Sequence, residues 1–124
     1  MKNLSILLAT VFLLLGPFLS NACKISLNIE RESKSVYKPG EIAIVKITVV
    51  MEHRNCDVSI DNTDINVSGS QIIGATKWVN TDGKTWERKI KIKILSDPHK
   101  QALIVAERTC HKDGGKGVLK LQTT

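Results

Sequence analysis

Five residues in this chain have types and spacings that could do chemistry: Cys23, His53, Cys56, Cys110 and His111. His53 and Cys56 are separated by two residues, a spacing that lets two ligands on one turn face the same ion. Cys110 with His111 could complete a soft set suited to zinc or copper(I). Neighbouring residues on a strand point to opposite faces, so Cys110 and His111 share a metal only where the chain bends. The same cysteines admit two other chemistries. A disulfide between Cys56 and Cys110 would close a loop of about fifty residues, which chain entropy values at roughly 4 kcal/mol. Left as thiols, they are candidates for redox exchange. Three cysteines permit three pairings, and each leaves one cysteine over. Other catalytic patterns are thin. No Ser, His and Asp set has recognisable spacing, and Gly114-Gly115-Lys116-Gly117 lacks the phosphate-loop spacing and reads as a turn. No catalytic residue is assigned, and the chain is expected not to be an enzyme.

The cysteines matter more because of where the chain is expected to go. Lys2 is the only charged residue before Lys24, and an apolar run from Leu4 to Leu15 is followed by Gly16-Pro17 and Ser20-Asn21-Ala22. A basic start, a short apolar middle and small residues before a cut predict a signal peptide over residues 1–22, leaving a domain over 23–124. Export places the protein in an oxidising compartment, periplasmic or secreted, where paired cysteines persist. The cut would make Cys23 the first mature residue, which opens a branch to a membrane-tethered lipoprotein acylated at Cys23. Ser20 stands at −3, where such signals usually carry Leu, and ordinary cleavage is the main expectation. Membrane attachment is expected only through that lipid.

The 124 residues carry a net charge of +6, or +5 once Lys2 leaves. Lys89, Lys91 and Lys93 align on one face of a strand and read as a solvated sheet face, or as lysines guarding an edge. Base-stacking aromatics do not accompany them, and no nucleic acid partner is expected.

What positions these residues is a series of strands. Ile25, Leu27 and Ile29 alternate in a first strand, and Ile42 to Met51 is the best candidate for a central one. Asp57 to Val67, broken near Asp61-Asn62, and Gln71 to Val79 follow. Asn80-Thr81-Asp82-Gly83 is a hairpin turn, after which Trp86, Ile90, Ile92 and Ile94 alternate with charged residues. Ala102 to Thr109 is apolar on both faces, and Val118 to Leu121 closes the series. Trp78 and Trp86 read as core plugs, and Asn66-Val67-Ser68 matches a glycosylation acceptor in a strand. About seven short strands in one domain predict an all-β fold, a single antiparallel β-sandwich of immunoglobulin type.

Two segments carry a resemblance. Val36-Tyr37-Lys38-Pro39-Gly40-Glu41, followed by alternating aliphatics, resembles the start of many bacterial extracytoplasmic immunoglobulin-like domains. Ala106-Glu107-Arg108-Thr109-Cys110 is similar to the N-terminal immunoglobulin-like domain of the periplasmic thiol:disulfide interchange protein. In that family a cysteine at this position belongs to a redox pair with a second one a few residues later. Lys112 to Gly117 contains no cysteine, so the correspondence stops at Cys110.

Strands that alternate in direction would bring Cys23, the loop with His53 and Cys56, the Asn80 to Lys84 turn and the loop with Cys110 and His111 to one pole. His99 would fall at the other. The expected function is a non-catalytic binding or adaptor domain that offers this pole to a protein partner and needs no cofactor. The alternative is a thiol-redox or zinc- or copper-handling accessory protein acting through the same pole.

Overall fold

The computed structural model describes residues 23–31, 34–51, 59–109 and 114–124. The expected leader, residues 1–22, lies outside them. Through the described residues run β1 (Cys23–Ile29), β2 (Ile42–Met51), β3 (Asp64–Ser68), β4 (Ser70–Ala75), β5 (Val79–Asn80), β6 (Thr85–Ile94), β7 (Gln101–Thr109) and β8 (Gly114–Gln122). They form two antiparallel sheets, one ordered β1-β2-β6-β4 with β5 also paired to β6, the other β3-β7-β8. Among the described residues no helix is long and apolar enough to cross a membrane.

Period-two patterning builds one aliphatic core shared by both sheets. Ala43, Val45, Ile47 and Val49 of β2 and Ile90, Ile92 and Ile94 of β6 are buried from one side. Ala102, Ile104 and Ala106 of β7 and Leu121 of β8 belong to the same cluster. β-branched side chains suit these positions because they lose little rotamer freedom on a pleated surface and pack laterally. The arrangement is consistent with a β-sandwich.

Several segments differ from the sequence reading. In the expected Asp57 to Val67 segment, residues 57–58 lie outside the described residues, and the break near Asp61-Asn62 is a 3₁₀ turn at Ile60–Asn62 capped by Ser59. The strand itself, β3, starts only at Asp64. The Gln71 to Val79 strand is divided into β4 and β5. A register shift falls between Ile72 and Gly74, and Thr76 then turns its hydroxyl to the backbone of Lys89, accepting from that residue's N–H at 2.9 Å. The side chain thus takes over a bond that a regular ladder would supply. The hairpin is wider than a two-residue turn: Thr81 N–H donates to Thr85 O at 2.9 Å, and of the Asp82-Gly83 pair Gly83 alone takes a positive φ, +87°.

The largest difference concerns Gly114 to Gly117. These residues do not turn the chain but form the first half of β8, paired with Ala106 to Thr109. The missing side chains of Gly115 and Gly117 serve packing, because β1 lies directly against both: a Cβ on Gly115 would sit 2.3 Å from Cys23 O, and one on Gly117 2.7 Å from Ile25 O. Tyr37 closes the seam beyond β1. Its N–H donates to Gln122 O at 2.9 Å and its carbonyl accepts from Thr124 N–H at 3.0 Å, a parallel bridge to the end of β8.

Candidate functional site

Except for β4 and β5, which run the same way along β6, successive strands alternate in direction, and their ends build the pole. Cys23, at the start of β1, pairs with Met51 at the end of β2, and Val50 pairs with Thr85 at the start of β6. Thr109 ends β7 opposite Gly114, and Gly115 abuts Cys23. His53, Cys56, Cys110 and His111 lie outside the described residues. The strand ends that flank their two segments nevertheless meet here: residues 52–58 run from Met51 to Ser59, and residues 110–113 from Thr109 to Gly114. His99 lies between β6 and β7 at the opposite end, where its N–H donates to Asp97 Oδ2 at 3.0 Å.

Cys23 is 1% exposed and packs into the core. Gly115 presses on its backbone, so a lipid thioether or an exchanging thiol at this position requires the first residues of β1 to leave the sheet. Labelling with a thiol reagent checks this. Native Cys23 is expected to react at least about a hundredfold more slowly than the same thiol in denaturant, since each 1.4 kcal/mol of local opening is worth a factor of ten. Rapid native labelling would place the sulfur outside the core.

The residue that organises the pole is Arg108, which sequence reasoning passed over. It continues the inward phase of Ala102, Ile104 and Ala106 and is only 2% exposed. Its Nη1 donates to Ser59 O at 3.0 Å and to Thr63 Oγ1 at 2.8 Å. Thr63 in turn donates its hydroxyl to Ile60 O at 2.7 Å, so the guanidinium grips both flanks of the 3₁₀ turn. One arginine on β7 thereby ties the residue that follows segment 52–58 to the strand that precedes segment 110–113. The available signal was the period-two phase itself, which places position 108 inward.

The hairpin adds a carboxylate whose acceptor capacity is already in use. Asp82 accepts from Thr85 N–H at 2.7 Å, Lys84 N–H at 3.0 Å and the Thr85 hydroxyl at 3.2 Å. The Thr85 backbone bond is the main reason its carboxyl titrates below the usual range, so it stays ionised as a turn cap rather than acting as a proton acceptor. Beside the 3₁₀ turn lies a groove of about 600 Å³ lined by Ser59, Asp61, Lys77, Trp78, Trp86 and Arg88. Both indoles pack half-buried against the core as plugs, and the Arg88 guanidinium stands 5.8 Å from the centre of the Trp78 ring. Arg88 Nε also donates to Thr76 O at 2.8 Å, fastening the break between β4 and β5.

Lys89, Lys91 and Lys93 lie on the exposed outer face of β6. They do not guard an edge, because β6 is flanked by β2 and β4. Asn66 is exposed on β3. Among the described residues, no group of three or more His, Cys, Asp or Glu gathers as metal ligands. Compared with protein-family models, curated proteins and solved structures, the chain matches none of them.

Proposed function

We propose that the chain is an exported, non-catalytic binding module of immunoglobulin-like topology that presents the loops of the Cys23 pole to a protein partner. The strand order supports the topology: β1-β2-β6-β4 over β3-β7-β8 corresponds to the ABED and CFG sheets of constant-type immunoglobulin domains. End loops on a rigid sandwich are well placed for recognition, since the core fixes their bases while their sequences vary. Export is supported by the leader pattern in residues 1–22.

The observation that carries the reading is the Arg108 to Ser59 hydrogen bond. Cys56 lies three residues before Ser59 and Cys110 two residues after Arg108, so short tethers connect both cysteines to one bonded point. At about 3.3 Å per residue, those tethers allow the two sulfurs to meet. A Cys56–Cys110 disulfide would then lock the loop bases into a fixed recognition surface. The same tethers would serve a thiol-redox or zinc- or copper-binding site, which makes the cysteine state the deciding quantity.

Peptide mapping of the unreduced protein, with a thiol and metal count, tests the reading. A quantitative, non-exchanging Cys56–Cys110 bond is expected. Replacing either cysteine with Ser should then lower stability by roughly 2–5 kcal/mol, and the double variant should lose about the same because all three lack one bond. Accessible thiols or a retained metal, with stability barely changed by substitution, would replace the adaptor with the accessory-protein alternative.

A further inference from the structure

The outer face of the β1-β2-β6-β4 sheet has a character that the pole does not use. The antiparallel register sets Lys93 beside Ile42, Lys91 beside Ile44 and Lys89 beside Lys46. Toward the pole the lysines are paired, Lys89 with Glu30 at 2.7 Å and Lys46 with Glu87 at 3.3 Å. Farther down, Lys91 and Lys93 have no ion-pair partner among the described residues and stand next to exposed aliphatic side chains. Ile42 is 56% exposed, and Ile73, which bulges from β4, is 45% exposed. Ile44, Ile73, Lys89 and Lys91 together wall a shallow groove of about 280 Å³. The outer face of the other sheet differs: there Glu107 lies opposite both Asp64 and Lys116, interleaving charges of both signs.

We infer that the Lys91 and Lys93 end of this face docks on an anionic lipid surface. The combination is what such a surface selects. Lysine ammonium groups are drawn to acidic headgroups while their methylene stems lie along apolar surface, and neighbouring isoleucines enter the boundary between headgroups and acyl chains. A nucleic acid would gain nothing from Ile42 and Ile73 and would call for stacking aromatics, which the lysine strip lacks. This attachment needs no acyl group on Cys23 and does not depend on the state of the pole.

Vesicle co-sedimentation of the mature chain tests it, using phosphatidylcholine alone and phosphatidylcholine mixed with phosphatidylglycerol. Binding is expected only to the mixed vesicles and should weaken as salt rises. Lys91→Glu with Lys93→Glu should reduce it about tenfold or more, and Ile42→Ser with Ile73→Ser should also reduce it. Lys116→Glu with Lys120→Glu, on the opposite sheet, should leave it within about twofold, since those groups face away from the bilayer. Circular dichroism of each variant confirms that it is folded. No preference for the mixed vesicles overturns the inference. So does equal loss from both charge-reversed pairs, which would reduce the effect to net charge. Isoleucine substitutions without effect, together with equally tight binding to heparin or an oligonucleotide, would reassign the face to a soluble polyanion.

Discussion

Gly115→Val is expected to lower stability by more than about 3 kcal/mol, the upper part of the range for overpacking a filled interior. The severity follows from what the new side chain would strike. A Cβ at position 115 would sit 2.3 Å from Cys23 O and 2.9 Å from Cys23 Cβ, and neither atom can be moved away by a rotamer change. Either β1 lifts from β8 or β8 loses its pairing with Arg108, and both expose core. Gly117→Ala should be milder, because its nearest contact, 2.5 Å, is the terminal Cδ1 of Leu27, which can rotate, although Ile25 O at 2.7 Å still resists. Gly74→Ala provides the reference. Its new Cβ would meet Lys91 Cβ at an ordinary 3.7 Å, and its effect should stay within about 0.5 kcal/mol. Urea unfolding of the three variants gives the ranking. If Gly115→Val matched Gly74→Ala, β1 would not lie on β8, and the link that brings Cys23 to the strand ends of the pole would be lost.

That ranking bears on why some features could be read in the sequence and others could not. The alternation of Ile90, Ile92 and Ile94 with Lys89, Lys91 and Lys93 carries its own period, and one buried face was enough to locate β6 and orient its lysines. Strand polarity needed only the count of reversals, which survived the division of the Gln71 to Val79 segment because β4 and β5 both pair with β6 and run the same way. A glycine run is different. Gly114, Gly115 and Gly117 announce only that side chains are missing, and whether this serves a turn or another strand's close approach depends on partners far away in sequence. The lysine strip shows the same limit. Its alignment was visible, but whether β6 was central or at an edge, and that Ile42 and Ile73 flank its lower end, depended on pairing between strands. Position 108 is the converse case: the phase of Ala102, Ile104 and Ala106 pointed it inward, against the usual preference of arginine for solvent.

That inward arginine carries the second large effect. Arg108→Ala is expected to cost about 3 kcal/mol or more, because it opens space at the end of the core and leaves Ser59 O and Thr63 Oγ1 without their charged donor. Arg108→Met separates the two contributions. It restores much of the volume without the donor, so its loss should be smaller than that of Ala by the cavity component. Thr63→Val, which removes one acceptor and keeps the shape, should cost about 1–2 kcal/mol, and adding it to Arg108→Met should cost less than the sum, since both remove the same bond. The functional consequence sits in the 3₁₀ turn, which Arg108 holds against β7 at the base of segment 52–58. If Cys56 and Cys110 are covalently joined across the same gap, the penalty of Arg108→Ala should be larger in reducing than in oxidising buffer, because the disulfide keeps the two segments together after the arginine is lost. Urea unfolding in both buffers measures the difference. Equal penalties would mean that the arginine and the cysteines do not act across a common gap, and the Arg108 to Ser59 bond would no longer support a fixed recognition surface at this pole.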